Sequence, residues 1–243
     1  MSTVETKERA PEASPRFKAR MAGVFEALEG LTSAGGQVFI HDRLVVSGNA
    51  AATAASLLAH ERLYWLGFGL SLIAAVFHIV WALLFYQLFK PVNRTVSLLA
   101  ALIMFVGCAL QAVTSLLYIA PLLILKGGGA LSAFPPDQLQ ALAYAFLKLN
   151  SQSFAVYLVF FGFWCVLSGY LIARSTFMPR ILGVLLAIDG LGWILYLHTP
   201  LAYQLFPVIA AASGIAEIPL QLWLLVFGVN PQRWKERAGA AGA

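Results

Sequence analysis

Residues 63–89, "LYWLGFGLSLIAAVFHIVWALLFYQLF", contain no Asp, Glu, Lys or Arg. A bilayer core is crossed by about 20 apolar residues in a helix. Only helices and closed barrels satisfy every backbone N–H and C=O inside it. Segments 95–124 and 153–173 are also free of charged residues, while 181–198 and 203–228 hold one acid each, Asp189 and Glu217. Segment 21–40 is the most polar of the set, carrying Glu26, Glu29 and Gln37. Charged residues make up 11% of the 243 positions, well below the ~25% of soluble domains. Mean hydropathy is +0.80. The pattern predicts an all-α integral membrane bundle of six transmembrane helices.

Charge between the segments predicts the orientation. With six crossings, one side holds the two tails and the turns 90–94 and 174–180. That side carries Lys7, Arg9, Arg16, Lys18, Arg20, Lys90, Arg94, Arg174, Arg180, Arg233, Lys235 and Arg237, twelve of the 16 basic residues. The other side keeps Arg43, Arg62, Lys126 and Lys148. Lys and Arg concentrate on the cytoplasmic flank of membrane proteins, so both termini are expected in the cytoplasm. The net charge of +5 then belongs to membrane flanks. Membrane lipids are the expected partner, and nucleic acid is not.

Three parts follow from this layout: a disordered cytoplasmic N-tail at 1–20, a six-span domain at 21–230 and a cytoplasmic C-tail at 231–243. Two short amphipathic helices are expected in the external loops. One follows Asn49 in "GNAAATAASLLAHERLYW", where Asn suits an N-cap and the alanine run favours helix. The other follows Pro136 in "FPPDQLQALAYAFLKLN", with Leu139, Leu142, Phe146 and Leu147 at amphipathic spacing. Tyr64, Trp65, Tyr86, Tyr196 and Tyr203 lie near segment ends, as interfacial anchors do.

Polar residues inside the segments fall at helical spacing. In the last segment Pro207, Ala210, Gly214, Glu217 and Gln221 share one face, where small residues let helices approach closely. Pro219 frees the carbonyl of Ile215 beside that face. Other segments offer Ser71, Ala74, His78 and Trp81; Gly107, Gln111, Thr114 and Tyr118; Cys165 and Ser168; Asp189 and Trp193; and Gly23, Glu26, Gly30 and Gln37. His78, Gln111, Asp189 and Glu217 each sit near the midpoint of a segment, which brings them to a common depth. A carboxylate at the bilayer centre costs about 2.5–3.5 kcal/mol on insertion scales, so these groups are expected to share protons and hydrogen bonds. The candidate ligand- or proton-binding residues are Glu217, Asp189, His78, Gln111, Gln221, Trp81 and Trp193.

No catalytic signature accompanies them. "KGGGALSAF" lacks the G-K-[ST] ending of a phosphate loop, and neither an H-E-x-x-H pair nor a G-x-S-x-G elbow occurs. His60 and Glu61 are adjacent and share no helix face. Cys108 and Cys165 lie inside apolar runs with no disulfide or zinc spacing. No cofactor, metal or catalytic residue is assigned. The expected function is binding or transport of a small molecule, lipid or proton through the midplane cluster. The alternatives are a non-enzymatic accessory or regulatory protein whose polar residues hold helices together, and an intramembrane enzyme using Asp189 and Glu217 as acid and base.

Four stretches carry a family resemblance: "DRLVVSGNAAATAASLLA" at 42–59, "LFKPVNRTVSLLAA" at 88–101, "GYLIARSTFMPRILGVLLAIDGLGWI" at 169–194 and "AEIPLQLWLLVFGVN" at 216–230. The chain resembles the bacterial multi-span membrane proteins of domain-of-unknown-function family 4386. The resemblance implies a helical protein of the bacterial inner membrane and no established chemistry. It places Glu217 on the acidic position of the last-span motif, and Asn93 and Arg94 on a short cytoplasmic turn. The first segment departs from the family by its polarity, so Glu26 and Glu29 are not carried over.

Overall fold

Where water is excluded, the backbone has to satisfy itself, and helix is the local solution. The computed structural model describes residues 14–242, and every regular element among them is helical. Helix α1 (Pro15–Ala34) continues through a wider π turn (Gly35–His41) into the short α2 (Asp42–Leu44). Then come α3 (Ala50–Ala59), α4 (Glu61–Phe89), α5 (Arg94–Lys126), a 3-10 turn (Gly129–Ala133) and α6 (Pro136–Arg174). The chain closes with α7 (Arg180–Ile194), a second 3-10 turn (Leu195–His198), α8 (Thr199–Val226) and α9 (Pro231–Gly242).

The ends of these helices follow local chemistry. Ser14, Asn49 and Asn93 cap α1, α3 and α5, each accepting from the backbone N–H three residues on. Gly127 (φ 63°) and Gly228 (φ 66°) end α5 and α8 in the left-handed region that other residues avoid.

Four stretches are long and apolar enough to cross a membrane: 61–89, 94–126, 136–174 and 180–226. The last is a hairpin. Its 3-10 turn and the non-helical His198 (φ −123°, ψ 82°) reverse the chain, and a Cβ on Gly192 of α7 would lie 3.5 Å from Ile209 of α8. Helix α1 is not among the four, because its polar residues lower its hydropathy.

Three expectations need correction. The external helix at 136–150 is not a separate element but the first part of a 39-residue α6. Nothing between 147 and 153 breaks a helix, and Asn150 Nδ2 there donates to the carbonyl of Thr114 at 3.0 Å, tying the continuation to α5. Residues 15–20, assigned to the disordered tail, form the first turns of α1, and residues 1–13 lie outside the described part. Tyr64 and Tyr196 are buried and are not free interfacial anchors; the Tyr64 hydroxyl donates to the carbonyl of Tyr118.

Two ends of the bundle can be told apart. At one, Arg16 and Arg20 donate to the carbonyls of Phe227 and Val226. Trp234 of α9 donates to that of Leu88 at 2.8 Å, and Arg233 to that of Thr176 at 3.1 Å. At the other lie α2, α3, the Lys126–Glu61 ion pair and the stacked Tyr64–Tyr118 rings. Between the ends, Ile73, Val76, Leu102, Val106, Leu116, Ile215, Ile218 and Leu222 point outward, an apolar girdle suited to lipid rather than water.

The closest helix contact is the α6–α7 pair. A Cβ on Gly162 would lie 2.7 Å from the carbonyl oxygen of Gly190, and one on Gly183 would lie 2.5 Å from that of Gly169. The glycines repeat every seven residues on both helices, which keeps one seam in register along an antiparallel pair. Gly183→Val should destabilise the protein by about 3 kcal/mol or more, since backbone would have to move. Gly69→Ala, where a Cβ meets nothing within 4 Å, should leave thermal stability in detergent unchanged or slightly raised.

Candidate functional site

The site is built by where α1 meets α8. Ala19 and Ala22 are fully buried, and a Cβ on Gly23 would be 3.0 Å from Leu224 Cβ. With Arg16 and Arg20 held at residues 226–227, the two helices run antiparallel. One and two turns further along α1, Glu26 and Glu29 therefore come level with Glu217. On its other flank α1 packs against α4, where a Cβ on Gly36 would lie 2.8 Å from the carbonyl oxygen of Gly67. That contact brings His78 to the same level.

Glu29 Oε1 lies 3.7 Å from His78 Nδ1, and the Tyr157 hydroxyl of α6 is 3.1 Å from the same nitrogen. His78 is fully buried, its Nε2 unpartnered, and its ring packs on Trp81 at 4.8 Å between centroids. Whether Nδ1 accepts from Tyr157 or donates to Glu29 depends on the tautomer. Across the site, Glu217 Oε1 accepts from Ser213 Oγ at 2.7 Å, one turn away on α8. The Asp189 carboxyl of α7 lies against that of Glu217, beside Cys165 and Ser213. Asp189 is wholly buried, and among the described residues neither oxygen has a partner in hydrogen-bonding geometry. A proton held between the two carboxyls is the bond this geometry permits. Glu26, 6% exposed, also lacks a donor to either oxygen and lies within electrostatic reach of Glu217 and Glu29.

Glu29 and Glu217 face an open-mouthed chamber of about 500 Å³ lined by α1, the π turn, α6, α7 and α8. Ser33, Gln37, Asp42 and Ser151 add polar groups towards the α3 end, and among the described residues no Lys or Arg lines it. At the opposite end Trp81, Phe85, Phe89, Trp164 and Phe177 form a packed aromatic core. The chamber is closed on that side. Among the described residues no group of three His, Cys, Asp or Glu side chains is arranged to hold a metal ion.

The candidate residues separate accordingly. Glu217 and Trp193 line the chamber; Asp189 and His78 stand directly behind its wall, and Trp81 lies deeper, its Nε1 unpartnered. Gln111 is elsewhere, in a void of about 20 Å³ with Ser71, Thr114, Ser115 and Asn150, room for one water. Gln221, half-buried one turn beyond Glu217, lines neither space. Sequence reasoning missed Tyr157 and Ser213 and set aside Glu26 and Glu29. The spacing of Glu26, Glu29, Ser33 and Gln37 is itself a helical stripe, and Ser213 precedes Glu217 by one turn, so both signals were present.

Carboxyls and an imidazole held at one level inside an apolar helical bundle define a helical membrane protein with a polar interior site. The model of the family described as Domain of unknown function (DUF4386) matches residues 21–228, and the chain belongs to that family. No curated protein and no solved structure matches it.

Removing the hydroxyl from Tyr157 leaves His78 Nδ1 with only the longer Glu29 contact. Tyr157→Phe should cost about 1–2 kcal/mol, read as a lower melting temperature in detergent together with a changed His78 ring-nitrogen NMR signal. Tyr170→Phe, at a half-exposed position, should stay within about 0.5 kcal/mol of wild type.

Proposed function

We propose that the chain is a six-span protein of the bacterial inner membrane with both termini in the cytoplasm. Its chamber binds a small molecule, or a proton, between α1 and α8. Six crossings are supported by the hairpin within 180–226 and by α1, whose continuous run from Pro15 to Leu44 exceeds the ~20 residues a span needs. Its polar side chains face inward, where they cost lipid nothing. The orientation is supported by Arg16, Lys18, Arg20, Lys90, Arg94, Arg174, Arg180, Arg233, Lys235 and Arg237 lying at the end that gathers α9, against Arg43, Arg62, Lys126 and Lys148 at the other.

One observation carries the binding reading: Glu29 and Glu217, on helices nearly two hundred positions apart, line one open volume of about 500 Å³. Polar residues serving only as adhesive satisfy one another across a dry interface. Here the buried carboxyl oxygens of Glu26 and Asp189 have no hydrogen-bond partner among the described residues. A site that takes up a proton or a ligand uses such groups.

Topology and access are tested by single cysteines, because native Cys108 and Cys165 are buried. A membrane-impermeant thiol reagent added outside should label Ser132→Cys and not Lys235→Cys, both exposed positions. The reverse pattern overturns the orientation. The same reagent should label Ser33→Cys, which lines the chamber, through the opening beside Asp42. Failure to label it overturns the chamber reading. Glu217→Gln keeps shape and hydrogen bonding without ionising; it should cost about 1 kcal/mol of stability and remove one pH-responsive carboxyl band from the infrared difference spectrum.

A further inference from the structure

The lining of the chamber selects among ligand chemistries. Three carboxylic acids line it, Glu29 and Glu217 inside and Asp42 at the mouth, and among the described residues no cationic side chain lines the walls. Behind them stand Glu26 and Asp189, both more than nine-tenths buried, with no hydrogen-bond partner for any of their four carboxyl oxygens among the described residues. His78, 3.7 Å from Glu29, faces these acids from α4. Its ring is otherwise enclosed by Trp81, Tyr157, Phe161 and Trp164. Ser213, Cys165 and Trp193 are the other polar neighbours on α8, α6 and α7. An anionic ligand would meet repulsion and no counter-charge.

The rest of the wall is aromatic. Phe154, Tyr157, Trp193, Tyr196, Tyr203 and Phe206 surround the space, and ring faces attract cations, most strongly where water is excluded. The volume, about 500 Å³, lies in the range of organic ligands and far exceeds a bare ion. Its mouth is apolar on one flank, where Val38, Tyr203 and Phe206 are 55%, 49% and 49% exposed. Asp42 stands on the other, its side chain 56% exposed. That combination admits a body that is apolar and positively charged.

We propose that the chamber binds a hydrophobic organic cation, an amine or quaternary ammonium, with its charge between Glu29 and Glu217 and its apolar part against the aromatic wall. This inference rests on the chamber being an accessible binding site, and the test keeps the two failures apart.

The probes are benzyltrimethylammonium, the neutral benzyl alcohol and the anionic benzenesulfonate. Binding is measured by calorimetry on the full chain in lipid nanodiscs, and by protection of Ser33→Cys from thiol labelling. Benzyltrimethylammonium should bind and protect, with the neutral and anionic probes weaker by about tenfold or more. Glu217→Gln should weaken the cation by about tenfold and leave benzyl alcohol unchanged. Glu29→Gln serves as the second variant should Glu217→Gln fold poorly. If Ser33→Cys labels freely and the cation protects no better than the alcohol, the cation inference falls while the chamber stands. A cation affinity unmoved by either Gln variant also overturns it. If Ser33→Cys never labels, the site itself is refuted.

Discussion

A carboxyl inside a helical membrane bundle needs somewhere to put its charge or its proton, and this fold is arranged around four of them. Glu26, Glu29, Asp189 and Glu217 come from three helices, and each alone would be costly in lipid. Brought to one level they share a neighbourhood with His78, Tyr157 and Ser213. That convergence depends on two close approaches. Gly23 lets α1 rest against α8, and Gly36, in the π turn that continues α1, lets that turn rest against α4. A bulkier residue at either position would lift α1 away and leave its glutamates facing lipid. The most polar helix of the chain is thus the one whose placement completes the site.

The sequence made some of this legible and hid the rest for physical reasons. Segments 63–89 and 95–124 match α4 and α5 within a few residues, because uncharged runs bounded by Asn93 and by glycines leave little choice. The hairpin of α7 and α8 was readable too: both segments are apolar and the turn near His198 separates them. The length of α6 was not. Polar residues at 148–153 look like a loop when hydropathy is averaged, but Asn150 is buried and bonded to α5. Averaging over a window discards direction, and direction decides whether a polar residue breaks a span or lines an interior. Glu26 and Glu29 were set aside for another reason, the polarity by which the first segment departs from the family.

For the site, the depth argument placed Asp189, His78 and Glu217 together and misplaced Gln111 and Gln221. Common depth is necessary for contact but says nothing about azimuth around the bundle. Gln111 sits on α5, on the far side of Ser33 and Gln37, and so meets its own small void. The π turn at Gly35–His41 contributes as well. It widens the helix by a residue per turn, which brings Gln37, Val38 and Asp42 onto the chamber wall. Only the paired glycines at 35 and 36 hint at it in the sequence.

The chamber's surroundings are mechanically unequal. On one side α6 and α7 meet backbone to backbone through Gly162, Gly169, Gly183 and Gly190; interfaces packed that closely resist deformation. On the other, α1 meets α8 closely only near its start, through buried Ala19 and Ala22 and the approach at Gly23, and further along Glu29 and Glu217 both line the chamber. The α9 strap hydrogen-bonds α4 through Trp234 and the 174–180 turn through Arg233, and it also touches α1. On the proposed reading, loading a cation between Glu29 and Glu217 would draw α1 and α8 together, because it neutralises two acids that face the same space. The boundary that carries the charge would then close on the ligand, against the close-packed wall that the glycine seam supplies.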